Sequence, residues 1–494
     1  MSLLILKARW PMTYAQVRLF PEKVFFKLRK LLPRRLKTLL RILWEYCHAE
    51  LILVSTTYRR YFVVREVNRF RRGVGRYNNW GGKKKLNVGA FWDADGRFSW
   101  IARVAIERNI GLLHLPRSIY RPIFAHLIIR NGYSTDPTLG EVSLEKLYHE
   151  KLYDYRTSYK QYCKRVAKIL KEVFDFDVIL MPKLADDWII DVIAGLKDAG
   201  LPIVVNDREW FTSPKRLEVW PKYFQAIAKD ITIERLVNTN KLQQLFYERC
   251  KVPAEKMIIT GRPESDYWIH SGAPPKRRQI HAKLLDGKVL MLFFAFGQRN
   301  YLNNYYQGEV RDWTSLCEDY HQVLLELLKA HENLQIAYKI GGKPARDLSP
   351  SFDQFYAEAV HARGADSVIV LSGECSAMDL VRCSDCVMGF QTSALVEAMY
   401  TNQPIFYGAW GDLFSDIKET LVPFHLWDGI SFLDSKDALF EACNQFIESP
   451  SNFTISAEEE RSRKSIREAL NFKPDGNSSS RIMDVIQELA RERE

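Results

Sequence analysis

The stretch Ala377-Met-Asp-Leu-Val-Arg-Cys-Ser-Asp-Cys-Val-Met-Gly-Phe-Gln-Thr-Ser-Ala-Leu-Val-Glu-Ala-Met-Tyr-Thr-Asn-Gln-Pro-Ile-Phe-Tyr407 decides how the chain is read. Met378–Arg382 reads as a short helix, Cys386–Gly389 as a buried strand, Ser393–Tyr400 as a helix and Pro404–Tyr407 as the next strand. The strand stops at Gly389, and Gln391, Thr392 and Ser393 lead into the helix. Their hydroxyls and free backbone N–H groups are then expected at the positive end of a helix dipole, which suits a diphosphate. Ser and Thr also cap helices routinely, and the two roles are compatible. Glu397 falls one turn into the same helix, where a carboxylate either accepts bonds from ribose hydroxyls or simply favours the dipole.

Outward from this stretch the same strand–helix alternation continues in both directions. Upstream, Lys288–Phe294, Leu334–Ile340 and Ser367–Leu371 read as strands between the helices Trp313–His331 and Phe352–Ala362. A separate series runs earlier: Leu86–Phe91, Leu112–Leu115, Asp177–Met181, Pro202–Val205 and Met257–Thr260 as strands, with helices over Trp100–Arg108, Tyr159–Val173 and Trp188–Ala199. Such grammar implies parallel sheets covered by helices on both faces. Gly272, Pro274 and Pro275 punctuate a linker. The division is therefore a basic region 1–87, a first Rossmann-like domain 88–270, a linker 271–283 and a second Rossmann-like domain 284–494 carrying the terminal helices. Two such halves face a cleft, and ligands sit at the carboxyl ends of the strands.

At 494 residues the chain exceeds one compact core, and a small module is excluded. Its charge is uneven. Residues 1–87 hold 21 Lys and Arg against 4 Glu, a net of +17, while 88–494 hold 50 against 56, a net of −6. Lys23, Lys27, Lys30, Arg34, Lys37 and Arg41 share one helical face, and Phe25, Leu28, Leu32, Leu36, Leu39 and Leu43 another, with Pro33 as a kink. A cationic stripe beside an apolar one suits a helix lying in an anionic membrane interface, so residues 20–45 are expected to meet a membrane surface. An ordinary surface helix docked on the body is the plainer alternative. Nucleic acid is not expected, because no recognition motif accompanies the basic region. The longest apolar candidate, Leu51 to Val64, is short and carries Arg59 and Arg60, so no spanning helix is expected. No secretory signal is evident, and the eight scattered cysteines fit a reducing compartment. Cys383-x-x-Cys386 lacks a second pair at zinc spacing. Walker loops, G-x-G-x-x-G and nucleophile elbows do not occur.

The Ser384–Met399 run with Gln403-Pro-Ile-Phe-Tyr407 resembles the donor-site strand, loop and helix of GT-B glycosyltransferases, in particular bacterial capsule and surface-polysaccharide enzymes and CDP-glycerol glycerophosphotransferases. Val252-Pro-Ala-Glu-Lys-Met-Ile-Ile-Thr-Gly-Arg-Pro-Glu-Ser-Asp-Tyr267 is similar to the run that ends the first half of many of these proteins and of the non-hydrolysing nucleotide-sugar epimerases. The resemblance implies that Thr392 and Ser393 contact a donor diphosphate with Gln391 beside them, that Glu397 contacts the ribose, and that the Gly297-Gln298-Arg299 loop touches phosphate. Many relatives carry His-Pro after the strand corresponding to Leu334–Ile340. Here Tyr338-Lys339-Ile340-Gly341-Gly342-Lys343-Pro344 stands instead, so Lys339 or Lys343 is the candidate for charge on the leaving phosphate. The resemblance further implies no bound metal or other cofactor, the nucleotide-sugar serving as co-substrate.

Transfer also needs a group that takes the acceptor proton. Candidates are acids after first-half strands: Asp93 and Asp95 after the first, Asp207 and Glu209 after Pro202–Val205, with Asp93 preferred and each also readable as a turn residue. The expectation is a GT-B glycosyltransferase, cytoplasmic and peripheral at the inner membrane face, that moves a sugar from a nucleotide-sugar to a surface glycan or lipid-linked acceptor. The alternatives are a glycerophospho- or polyol-phosphotransferase on the same scaffold, a nucleotide-sugar epimerase, and a non-catalytic membrane scaffold.

Overall fold

A computed structural model describes residues 48–73, 80, 84–91, 99–130, 153–184, 189–207, 213, 215, 217–218, 221, 233–298, 312–341, 348–373 and 375–493. Two six-stranded sheets organise them, and every strand pair is parallel. The first contains β1 (Asn87–Phe91), β2 (Gly111–Leu115), β3 (Val178–Met181), β4 (Ile203–Asn206), β5 (Arg235–Asn238) and β6 (Met257–Ile259), in the order β2-β1-β3-β4-β5-β6. The second contains β7 (Val289–Phe294), β8 (Leu334–Lys339), β9 (Val368–Leu371), β10 (Cys386–Gly389), β11 (Ile405–Gly408) and β12 (Ser431–Leu433), in the order β12-β11-β10-β7-β8-β9. Numbered within its own lobe the second order is 6-5-4-1-2-3, the Rossmann arrangement, with the topological switch between β7 and β10. In the first lobe the order reverses between β1 and β3.

The strands form where aliphatic residues run uninterrupted. All six residues of β7 and all six of β8 are buried, as expected for a parallel sheet with helices on both faces. Most strand assignments made from sequence fall within a residue of those observed. β12, the helix Arg121–Arg130 and the helix Gly411–Ile417 carry patterns too short or irregular to have been read in advance.

Two segments outside 88–270 pack within the first lobe. Within the expected basic region, residues 48–73 are part of the first lobe: Ile52, Phe62, Val63 and Val67 pack with Tyr120, Tyr159 and Val166. Arg59, which interrupts the apolar run, is 1% exposed and donates from Nε to the Ile52 carbonyl at 2.8 Å. Burial with backbone acceptors explains how an arginine sits there. The last helix, Ser478–Arg491, leaves the second lobe; its Ile482, Met483, Val485, Ile486 and Leu489 join Val88, Leu112, Val178 and Val204 on one face of the first sheet. Amphipathic periodicity announced that face but not which sheet receives it.

Residues 20–45 lie outside the described residues. Among the described residues no helix is long and apolar enough to cross a membrane. All seven described cysteines are buried and none is in a disulfide, Cys383 and Cys386 included; burial pushes the Cys383 thiol up to about 11.

Candidate functional site

The switch point of the second lobe brings together the loops after β7 and β10. Gly389 stands beside Phe294 in the ladder, and a Cβ on it would meet Thr392 Cγ2 at 3.0 Å and Phe294 Cβ at 3.3 Å. A side chain there would push the turn off the strand, so glycine permits the close return. Gln391 follows with φ 47°, a left-handed conformation uncommon for a residue with a side chain. Compensation comes from its amide. Nε2 donates to Tyr407 Oη and to the Val422 carbonyl, each at 2.9 Å, while Oε1 accepts from Val422 N at 2.9 Å.

Beneath the turn Phe390 packs on Phe296, Trp313 and Tyr407, with centroids 5.0, 4.7 and 5.9 Å away. Tyr320 ties the neighbouring strand end: its hydroxyl donates to Gly408 O at 2.9 Å and accepts from Gly408 N at 2.8 Å. The described ends of the segment after β7 are bonded to each other, with Trp313 N donating to Gln298 O at 2.7 Å and Gln298 Nε2 donating to Thr314 Oγ1 at 2.6 Å. Gly297 lies buried inside this loop.

On this rigid base Thr392 and Ser393 are half-buried. The helix behind them is Ala394–Ala398, five residues rather than the eight expected, so the dipole contribution is that of little more than one turn. Ser393 at the N-cap makes no side-chain capping bond, and Thr392 Oγ1 accepts from Ala394 N at 3.3 Å. The hydroxyls are therefore only weakly committed to the helix itself.

The other described residues singled out from sequence are held as follows. Gln391 is 2% exposed and its amide is consumed by the fold, so it positions the turn and does not offer that amide to a ligand. Lys339, at the end of β8, is neither solvated nor aimed outward: it is 8% exposed and Nζ donates to Ile340 O at 3.2 Å and to Ser372 O. Two strand-end carbonyls accept from that ammonium group in this structure. Asp207 is 4% exposed, accepts from the Tyr247 hydroxyl, and its carbonyl accepts from Gln243 Nε2 at 3.1 Å. In this arrangement it anchors the helix Lys241–Arg249. Asp93, Asp95, Glu209, Arg299 and Lys343 lie outside the described residues. His114 is buried in β2, and His126 Nε2 pairs with Glu50 at 3.0 Å, which places both in the first-lobe core rather than at a surface.

Glu397 reaches across the lobes. Its Oε1 lies 3.3 Å from Arg262 Nη2, and Arg262 Nε is 3.4 Å from Glu264 Oε2; all three side chains are nearly buried. Arg262 follows β6, and Gly261 before it has φ 84° and would place a Cβ 2.8 Å from the Asn471 carbonyl. Only glycine fits that close crossing. Asp266 then accepts from Ser478 N at 2.9 Å and Ser479 N at 2.7 Å, capping the returning helix. Burial raises the Asp266 pKa, and these bonds oppose the rise. The seam between the lobes is thus polar and closely bonded at the level of the strand ends.

No protein-family model matches the chain, and no curated protein matches it. Among solved structures it is similar to the UDP-GlcNAc 2-epimerase of Neisseria meningitidis bound to UDP-GlcNAc, at 12% identity over 81% of this chain and 99% of that one, with a TM-score of 0.46. It is similar also to a glycosyltransferase from Rickettsia africae, at 11% identity over 82% and 99%, TM-score 0.42. A third likeness is to the UDP-GlcNAc 2-epimerase of Methanocaldococcus jannaschii, at 10% identity over 77% and 99%, TM-score 0.43. The chain's own topology is that of two Rossmann-like lobes, each built on a six-stranded parallel sheet.

Arg262, Tyr247 and Asp266 were not singled out from sequence. For Arg262 a signal existed, an arginine wedged between a turn-forming Gly261 and Pro263. Nothing local in the sequence linked it to Glu397, which lies 135 positions away.

Proposed function

We propose that this GT-B chain is a glycosyltransferase that moves a sugar from a nucleotide-sugar to a surface glycan or lipid-linked acceptor. The observation that carries the reading is the switch point between β7 and β10, where half-buried Thr392 and Ser393 stand on a floor locked by Gln391, Phe390 and Tyr320. Open α/β sheets bind ligands at such a point, and a donor diphosphate there receives hydroxyl and backbone N–H donors already in place. Glu397 takes the ribose through Oε2 or on release of Arg262, and its bond to Arg262 links donor occupancy to the seam between the lobes. Asp93, which follows β1 at the switch of the first lobe, is the proposed base for the acceptor proton. The basic segment 20–45 holds the enzyme at an anionic membrane surface beside its acceptor.

A thermal-shift panel of UDP, CDP, GDP and CMP tests this. At least one nucleotide is expected to raise Tm, by linkage about 2.7 kcal/mol at a hundredfold excess over Kd. Thr392→Ala with Ser393→Ala is expected to abolish that shift while changing the unliganded Tm little, since both side chains are only partly buried. Absence of a shift with every nucleotide would defeat the reading.

A further inference from the structure

The chain crosses between the lobes twice, once around 260–288 and again between Leu470, in the second-lobe core, and Ile482, in that of the first. Where the crossings meet, a cavity of ≈ 700 Å³ opens, and none of its lining residues belongs to the turn after β10 or to the loops after β7 and β8. Its walls are aromatic. Trp268 and Tyr400 stack at 5.4 Å with planes 11° apart, and the Arg467 guanidinium lies 5.2 Å from the Tyr400 centroid. Phe472 adds a third ring, held at φ 58°, and Lys473 lies 5.5 Å from its centroid. A bulky residue in the left-handed region is strained, and such strain collects at ligand-binding places.

The charged lining selects among ligands. Lys464, Arg467 and Lys473 face Glu460, Glu468 and Asp475, a formal balance of zero. Part of this set is internally closed, Arg467 with Glu460 at 3.0 Å and Asp475 with Arg481 at 2.9 Å. An anion would have to compete with Glu460, Glu468 and Asp475 for these cations, and a hydrocarbon chain would strip water from the charged rim without replacing its hydrogen bonds. A neutral ring with apolar C–H faces and many hydroxyls satisfies both requirements: a C–H face lies against the partly buried Trp268, and its hydroxyls meet Lys464, Glu468 and Asn402.

We infer that this cavity at the crossings binds a neutral pyranose unit of a glycan, a saccharide site separate from the donor turn. It holds the chain that the transferase extends, and to that extent the inference rests on the glycosyltransferase reading. The test is isothermal titration calorimetry of the full chain with gluco-, manno-, galacto- and chitin-oligosaccharides. Two variants accompany it: Trp268→Leu, and Lys464→Ala with Glu468→Ala at exposed positions that do not threaten the fold. Saturable binding by one class is expected, weakened about tenfold or more by Trp268→Leu and severalfold by the double variant. Failure of every oligosaccharide to bind, or binding unchanged in both variants, overturns the site, as does displacement of the saccharide by inorganic phosphate or by anionic phosphatidylglycerol vesicles. The nucleotide panel on the same preparations separates the two ideas. A nucleotide shift without saccharide binding removes this site alone, whereas variant-sensitive saccharide binding without a nucleotide shift removes the donor reading and leaves the cavity assigned.

Discussion

The two lobes share a sheet architecture but finish their strand ends differently. In the second lobe the buried polar side chains around the switch point are partnered. Gln391 bonds Val422 and Tyr407, Lys339 bonds two carbonyls, and His321 sits between Ser351 Oγ at 2.8 Å and Tyr338 Oη at 2.9 Å. In the first lobe Asn206 Nδ2, at the end of β4, and both amide atoms of Asn238, at the end of β5, are buried without a hydrogen-bond partner among the described residues. A satisfied network rigidifies, while an unsatisfied buried amide costs free energy. The difference teaches that the switch point of the second lobe is preorganised as it stands, whereas the first-lobe strand ends carry buried hydrogen-bonding capacity that the described residues leave unanswered.

The largest effect expected from breaking the second lobe's network is at Arg463. It is 2% exposed, and it donates to Gly429 O at 2.9 Å, Thr401 O at 2.9 Å and Gln403 O at 3.0 Å. One cation thereby closes three loop carbonyls on the segments flanking β11 and leading into β12. Arg463→Leu is expected to destabilise the protein by about 3–5 kcal/mol, read from chemical denaturation, because three buried acceptors lose their donor at once. A loss below about 1 kcal/mol would mean that these carbonyls find water readily, and the contrast between the lobes would weaken.

His321 sharpens the comparison through pH. Burial pushes its pKa down from 6.5 to about 4, and its ring stacks on Phe355 at 4.9 Å. Between those two values the unfolded chain binds a proton that the folded protein refuses. Its contribution is therefore fully present above pH 6.5 and is lost as pH falls towards 4, a total of about 3 kcal/mol. Carboxylates titrate in the same range, so the comparison is with His321→Gln, whose stability is expected to fall less steeply across that window. Parallel slopes for the two proteins would show that the imidazole takes up its proton without unfolding the lobe.

Much of this was legible in the sequence, and the exceptions share one physical cause. The strands announce themselves because aliphatic runs such as Val289–Phe294 must be buried on both faces. The turn after β10 was recognisable because glycine, hydroxyl residues and a strand end coincide within Gly389–Ser393. What remained hidden depends on where a long side chain ends. Lys339 folds back onto carbonyls, Asp207 meets Tyr247 from a helix forty positions later, and Glu397 finds Arg262 only once the lobes are brought together. The helix after Ser393 ends at Ala398 and gives way to i→i−3 bonds, Tyr400 N to Glu397 O at 3.2 Å and Thr401 N to Ala398 O at 3.0 Å, while Tyr400 stacks on Trp268 and accepts from Asn471 Nδ2 at 2.9 Å. Periodicity specifies faces and partners within an element; it carries no information about which distant element supplies a counter-charge.

The smallest expected effect tests the first lobe directly. Asn238 is 0% exposed, and its carbonyl accepts from Thr260 N at 2.9 Å, so its backbone is satisfied while its side-chain amide is not. Asn238→Leu keeps the heavy-atom count and the branch point at Cγ and leaves the backbone bond intact. Replacing a buried orphan amide with an apolar group of similar shape is close to neutral or stabilising, so the change in unfolding free energy is expected to stay within about 1 kcal/mol. A loss of about 3 kcal/mol or more would break the comparison, since it would show that the amide is partnered in solution and that the first lobe is as complete as the second. Near-neutral stability combined with reduced turnover at unchanged nucleotide affinity would sharpen it. Fold stability and donor binding would then be indifferent to the amide while catalysis depended on it, which is the behaviour of a group whose partner arrives with the acceptor.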